Sequence, residues 1–123
     1  MRDLVKNPIK VAVVGLGRWG NTIAGVVERT PGLALTTCFT RNPEKRDAFA
    51  AKFGCGKEES YEALLARSDV EALIITAPNN KHAELTIAAA ARGKHVFVDK
   101  PIATTIPDAR AMIDACRDRK SVV

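Results

Sequence analysis

Gly15-Leu16-Gly17-Arg18-Trp19-Gly20 has the spacing of a phosphate-cradling turn, G-x-G-x-x-G. It follows the apolar run Lys10-Val11-Ala12-Val13-Val14 and opens a helical pattern carrying Ile23, Ala24 and Val27. In that context each glycine has a physical reason. Gly15 permits a tight turn, Gly17 lets the backbone approach a pyrophosphate, and Gly20 lets the helix pack close to the strand. The amides near Arg18 and Trp19 would face phosphate oxygens from the helix N-terminus. The bland reading is a glycine-rich turn kept for packing. No Gly-Lys-Ser/Thr follows, which excludes a P-loop.

Cofactor choice is read at the end of the second strand, about 20 residues beyond the last glycine. A carboxylate there would accept hydrogen bonds from ribose hydroxyls and repel a 2′-phosphate. This sequence has Thr40-Arg41, with Lys45 and Arg46 one turn into the next helix. A hydroxyl and a guanidinium suit a phosphate, which Arg grips through two N–H groups. The reading is therefore NADP in preference to NAD. The alternative is an Arg41 that is merely solvated or stacks on adenine.

Two further positions fall where open α/β sheets bind ligands, at the carboxyl ends of strands. Thr76-Ala77-Pro78-Asn79 follows the run Leu73-Ile74-Ile75, and His82 lies just inside the next helix. A neutral imidazole donates and accepts, so His82 is read as a positioning group, with a helix-surface residue as the alternative. Asp99-Lys100-Pro101 follows Val96-Phe97-Val98. The Lys100 ammonium could stabilise negative charge on a substrate oxygen or join a proton relay, whereas a solvated loop lysine would do neither.

The elements that must hold these residues are legible from patterning. Short runs apolar on both faces, Lys10–Val14, Leu73–Thr76 and Val96–Val98, are those of a parallel sheet covered on both sides. Leu33 to Thr40 alternates, with Leu35, Thr37 and Phe39 expected on one face and Thr36, Cys38 and Thr40 on the other. Asn42-Pro43-Glu44 starts a helix that carries Phe49 and Phe53 and ends at Gly54. Ser60 caps a short helix with Leu64 and Leu65. Asn79 or Asn80 is expected to cap one that runs to Arg92 and stops at Gly93. Thr105-x-x-Asp108 resembles a capping box, followed by the stripe Ala109, Met112, Ile113 and Cys116, expected to pack on the sheet. A further strand is expected near Gly56–Glu58. The order is β-α-β-α-(β)-α-β-α-β-α. This implies a doubly wound, Rossmann-type α/β fold with a parallel sheet between two helical layers.

Bulk properties narrow the function. At 123 residues, with 46% hydrophobic and 27% charged residues, the chain suits one globular domain. Neither a run long and apolar enough for a membrane helix nor a secretory signal in Met1–Lys10 is evident. The cysteines Cys38, Cys55 and Cys116 form no Cys-x-x-Cys pair, so no metal site is indicated and a reducing cytoplasm is the default. The net charge of +5 is dispersed, partly near helix ends as at Arg117, Arg119 and Lys120, and no aromatic residues interleave with it. Nucleic acid is therefore not the expected partner, whereas an anionic dinucleotide is. Ser121-Val122-Val123 looks like the start of another strand, so the natural protein is expected to continue. An incomplete sheet would expose apolar surface and leaves homo-oligomer formation open.

Taken in order, these residues resemble the Gfo/Idh/MocA oxidoreductases, named for glucose-fructose oxidoreductase, inositol dehydrogenase and a rhizopine-catabolism protein. The resemblance runs from Lys10 onward. It rests on Gly15 to Gly20, on Arg41-Asn42-Pro43-Glu44-Lys45, and on Ala77-Pro78-Asn79 with His82 and Glu84. Gly93-Lys94-His95-Val96 leading to Asp99-Lys100-Pro101 completes it. It implies a first domain that binds NAD or NADP and a second, absent here, that supplies most of the substrate pocket and a catalytic His or Asp. The implied reaction is hydride transfer to or from a hydroxyl-bearing carbon, often of a sugar or polyol. Lys100 matches the lysine of the family's Glu-Lys-Pro motif. Asp99 stands where that motif has Glu, which shortens its reach toward a nicotinamide ribose. Thr40-Arg41 resembles NADP-using members. Without its second domain the chain is expected to bind cofactor but turn over little. The competing readings are a non-catalytic NAD(P) sensor, which needs no Lys100, and an S-adenosylmethionine domain, which would prefer a carboxylate after the second strand.

Overall fold

The computed structural model describes residues 7–123. Met1–Lys6, and with them most of the stretch read for a secretory signal, lie outside the described residues. Four parallel strands form one sheet in the order β2-β1-β3-β4. They are β1 (Ile9–Val14), β2 (Leu33–Phe39), β3 (Ala72–Ile75) and β4 (His95–Val98). Five helices connect or follow them: α1 (Arg18–Glu28), α2 (Pro43–Phe53), α3 (Tyr61–Leu65), α4 (His82–Ala91) and α5 (Ile106–Asp118).

The double-sided strands divide their residues between two cores. Ala12, Val14, Leu73 and Ile75 face Leu64, Leu65 and Ala89 on the α3–α4 side. Val11, Val13 and Ile74 face Ala24, Val27 and Phe49 on the α1–α2 side. Period-two alternation in a strand buried on both faces produces this division.

The expected alternation in β2 fails at one point. Val11 pairs with Leu35 and Ala12 with Thr37, so Thr36 is an extra residue. A bulge reverses the alternation beyond it. Leu33 and Leu35 therefore pack with Cys38 on the α1–α2 side, while Phe39 packs on the α3–α4 side.

Several caps fall where the residues predict. The Asn42 side chain accepts from the Glu44 and Lys45 amides, and Gly54 ends α2 with φ 63°. Ser60 accepts from Ala63, and Thr105 from Asp108. The Asn79/Asn80 cap is corrected: Asn79–Lys81 is a turn of 3₁₀ helix, and α4 starts at His82 with no side-chain cap. The Pro78 carbonyl accepts from the Lys81 amide, so the asparagines are used in the turn before the helix. The stripe on α5 is also corrected. Met112 and Cys116 are buried, but α5 packs chiefly on α4 rather than on the sheet.

Gly56–Glu58 is not a strand. It lies along the open edge of β2, with the Gly56 and Glu58 amides donating to Thr36 and Cys38 at 3.0 and 2.9 Å. At the opposite edge, the Val96 amide of β4 donates to Val122 at 2.8 Å, so the terminal valines start alongside β4. Phe97, on the same face as Ile74, is 62% exposed.

Candidate cofactor-binding site

The carboxyl ends of β1, β2 and β3 converge on a cleft of about 820 Å³. Its floor is the glycine turn. Gly15 adopts φ 95°, a region costly for any residue with a Cβ. A Cβ there would also lie 2.5 Å from the Ala77 amide nitrogen. At Gly20 a Cβ would strike the Gly15 carbonyl oxygen, so α1 reaches β1 only because the side chain is missing. Thr76, just past the end of β3, fastens the arrangement by donating its hydroxyl to the Gly15 carbonyl at 2.6 Å.

Gly17 differs. It precedes α1 with extended backbone, and a Cβ there would meet nothing within 4 Å. The space in front of it is open to the cleft, as an approaching pyrophosphate requires. Asn21 donates to the Leu16 and Gly17 carbonyls at 3.2 and 2.9 Å, which holds the turn from within α1. The Gly17 amide lies at the mouth of α1, where the dipole favours an anion.

Thr40, Arg41 and Lys45 line one wall of the cleft, and Thr76, Ala77 and Pro78 line another. Phe39, Tyr61 and Leu85 add an apolar surface between them. Tyr61 packs on Phe39 with ring centroids 6.3 Å apart and donates its hydroxyl to the Leu85 carbonyl at 2.6 Å. Burial pushes the Tyr61 phenol above its usual range. Glu59, Glu62 and Glu84 also reach the cleft, the last paired with Lys81 at 3.0 Å. Thus no carboxylate comes from the β2–α2 turn, but carboxylates do enter from α3 and α4. Patterning gave no hint of this group: the Ser60 cap located α3, but five residues are too few to show which face turns to the cleft.

Other residues singled out from sequence are placed around this cleft rather than in it. Arg18 and Trp19 are exposed on the first turn of α1, and Trp19 is 50% accessible. Arg46 does not line the cleft. Its guanidinium donates to the Thr40 and Glu59 carbonyls at 3.2 and 3.4 Å. Asn79 is exposed in the 3₁₀ turn.

His82 is neither on the helix surface nor in the cleft. It is 1% exposed, with Nδ1 2.8 Å from the Pro101 carbonyl and Nε2 2.9 Å from the Ala77 carbonyl. One buried ring thus links the loop after β3 to the loop after β4. The Asp99 amide adds a bond to Ile75 at 3.0 Å. Lys100 and Pro101, joined by a cis peptide, are exposed beyond that anchor. Lys94, a residue without an assigned role in the sequence reading, is buried and donates to the Arg67 and Val70 carbonyls, both at 2.7 Å.

The cleft combines an open turn at a helix N-terminus, an apolar wall and two cations, Arg41 and Lys45, features that suit an adenine dinucleotide. Comparison with known proteins agrees. Residues 9–123 match the oxidoreductase family with an NAD-binding Rossmann fold, Gfo/Idh/MocA. The chain is 36% identical over 110 residues to an uncharacterized oxidoreductase of Streptococcus pneumoniae, which covers 89% of this chain and 29% of that protein. It superposes with TM-score 0.90 and 33% identity on a 3-ketoreductase from Actinomadura kijaniata in complex with NADP and TDP-benzene, over 94% of this chain and 36% of the other. It superposes with TM-score 0.89 and 29% identity on the WlbA dehydrogenase from Bordetella pertussis in complex with NADH and UDP-GlcNAcA, over 95% of this chain and 37% of the other. The chain therefore spans about a third of the length of the proteins it matches. No helix among the described residues is long and apolar enough to cross a membrane. With an NAD(P)-binding Rossmann domain matched along nearly all of its length, the chain belongs to the Gfo/Idh/MocA oxidoreductase family.

Proposed function

We propose that this chain is the cofactor-holding domain of an NADP-preferring oxidoreductase acting on a hydroxyl-bearing carbon of a sugar- or polyol-like substrate. A second domain, outside these residues, completes the substrate pocket. The observation that carries the reading is the pairing of an open Gly17 turn with Thr40, Arg41 and Lys45 along one cleft. The A. kijaniata relative in complex with NADP and the span of about a third of each relative support it.

The residues divide the work along the cleft. Gly17, at the mouth of α1, brings its backbone amide to the pyrophosphate, and Gly15 and Gly20 let the turn close tightly enough to present it. Thr40 and Arg41 meet the adenosine ribose and its 2′-phosphate, and Phe39 and Tyr61 supply the apolar wall. Ala77, Pro78 and Asn79 carry the path toward the ends of β3 and β4. Lys100 there donates to the substrate oxygen and holds the proton as that oxygen gains or loses negative charge. Asp99 and Pro101 flank it, and His82 fixes the Pro101 carbonyl from below. The bound dinucleotide supplies the hydride donor or acceptor. Hydride transfer needs an oriented and largely dry site, so the isolated chain binds cofactor with little turnover.

The test is a titration of the purified chain with NADPH and NADH, followed by Trp19, the one tryptophan. The expected result is saturable binding with NADPH at least about tenfold tighter, a difference of about 1.4 kcal/mol. Tighter NADH would refute the phosphate preference, and binding of neither would refute the cofactor reading for this chain.

A further inference from the structure

We infer that Arg46 is a positioning residue for cofactor preference, acting by tying together two segments that line the cleft at its adenosine end. The inference rests on the NADP reading above. The β2–α2 turn is held at both ends. The Gly15 amide donates to Phe39 at 3.0 Å, and Asn42 caps α2. Between them lie Thr40 and Arg41, the two residues that would meet a 2′-phosphate. The Arg46 guanidinium reaches back from the second turn of α2 to the Thr40 carbonyl at 3.2 Å. The same nitrogen lies 3.4 Å from the carbonyl of Glu59, in the segment that leads into α3 and also lines the cleft, one residue before the Ser60 cap.

Arg46 is half-buried and its guanidinium serves backbone oxygens, whereas Arg41 and Lys45 line the cleft. Arg41 therefore supplies charge to the ligand and Arg46 supplies geometry. Removing the bridge leaves two carbonyls to water and frees Thr40 and Arg41 to rotate. The glycine turn is held separately, by Thr76 and Asn21. The loss should fall on the 2′-phosphate end alone. An ammonium in place of the guanidinium keeps the charge, but on a stem a bond shorter that stops short of the Nη1 position from which both carbonyls are reached.

The test titrates NADPH and NADH against the parent chain, Arg46→Met and Arg46→Lys, using Trp19 fluorescence, with thermal unfolding to establish folding. Arg46→Met should weaken NADPH about tenfold and NADH less than about threefold, the loss expected from a charge-assisted hydrogen bond. Arg46→Lys should fall within about threefold of Arg46→Met, because charge on the shorter stem does not restore the bridge. Equal weakening of both cofactors, no weakening, or parent-like binding by Arg46→Lys would each overturn the inference. If Arg46→Met does not fold, the Arg46→Lys result decides alone. A parent without NADPH preference overturns the NADP reading and this inference together, whereas a preference untouched by either variant overturns this inference only.

Discussion

His82 Nδ1 lies 2.8 Å from the carbonyl oxygen of Pro101, across the gap between the loops that follow β3 and β4. The opposite ring nitrogen faces Ala77 at 2.9 Å. The imidazole therefore joins the wall of the cofactor cleft to the loop that carries Lys100. A leucine of similar size removes the ring N–H and leaves a partly buried carbonyl without its donor. His82→Leu should cost about 1–3 kcal/mol of unfolding free energy, the scale of one acceptor left without its donor. Urea unfolding measures the loss, and amide exchange at Asp99 should quicken beyond what global destabilisation explains. A loss under about 0.5 kcal/mol, the scale of an ordinary surface change, would mean that the ring is not a clasp.

The three glycines of the turn should separate into two kinds. Gly20→Ala drives a methyl into the Gly15 carbonyl and against Thr76, so it should cost about 1–3 kcal/mol as overpacking does. Gly17→Ala meets no protein atom and keeps an allowed backbone, so its unfolding free energy should stay within about 1 kcal/mol of the parent. Its methyl nevertheless stands where the pyrophosphate must approach. NADPH affinity should fall by about tenfold or more, the scale of 1.4 kcal/mol. Calorimetric melting paired with the Trp19 titration tests both. A Gly17→Ala chain that binds like the parent would show that the ligand does not pass this turn.

Arg67 and Lys94 form a support that lies away from the cleft. Arg67 pairs with Glu58 at 2.8 Å and Asp69 at 2.7 Å, and Glu58 also accepts from the Thr37 hydroxyl. Lys94 then donates to the Arg67 carbonyl. The chain of contacts runs from the edge of β2 to the start of β4. Lys94→Met removes two buried hydrogen bonds while retaining most of the stem. It should lower unfolding free energy by about 1–3 kcal/mol. The ratio of NADPH to NADH affinity should stay unchanged, because nothing in this group touches the cleft. A shift in that ratio would show that the support reaches the site.

These residues also mark how far the sequence could be read. The strands of the core and most helix caps depend on local pattern, and Asn42, Ser60, Thr105 and the double-sided runs declare themselves. So does the glycine turn, whose spacing carries its own geometry. What stayed hidden depends on residues distant in the chain. The bulge at Thr36 follows from β2 fitting against both β1 and Gly56–Glu58, and no periodicity in a seven-residue strand reveals one extra residue. The face of α3 that brings Tyr61 to the cleft is set by packing on Phe39 and Leu85. The roles of Arg46, His82 and Lys94 are all contacts to backbone carbonyls from other segments. Residue type alone advertises a charge or a ligand there, and only the fold reveals a clasp.

Tyr61 gives the fold a predictable alkaline limit. Its phenol is half-buried, donates to Leu85, and is held above its usual range chiefly by desolvation. An unfolded tyrosine ionises near pH 10, so above that pH the unfolded chain releases a proton that the folded chain retains. Unfolding is then favoured as pH rises, because stability falls wherever the folded state binds more protons. The contribution of Tyr61 is fully present below pH 10 and is lost as pH climbs toward the raised folded value. Tyr61→Phe keeps the ring and removes the hydroxyl. At pH 8 it should cost about 1 kcal/mol for the lost hydrogen bond. Above pH 10 the gap between parent and variant should narrow, whatever other groups titrate in both chains. Urea unfolding at pH 8 and at about pH 10.5, just above the ordinary tyrosine value, measures the difference. A gap that is constant or that widens with pH would mean that Tyr61 ionises as readily folded as unfolded, and that its hydroxyl is not sealed against the wall of the cleft.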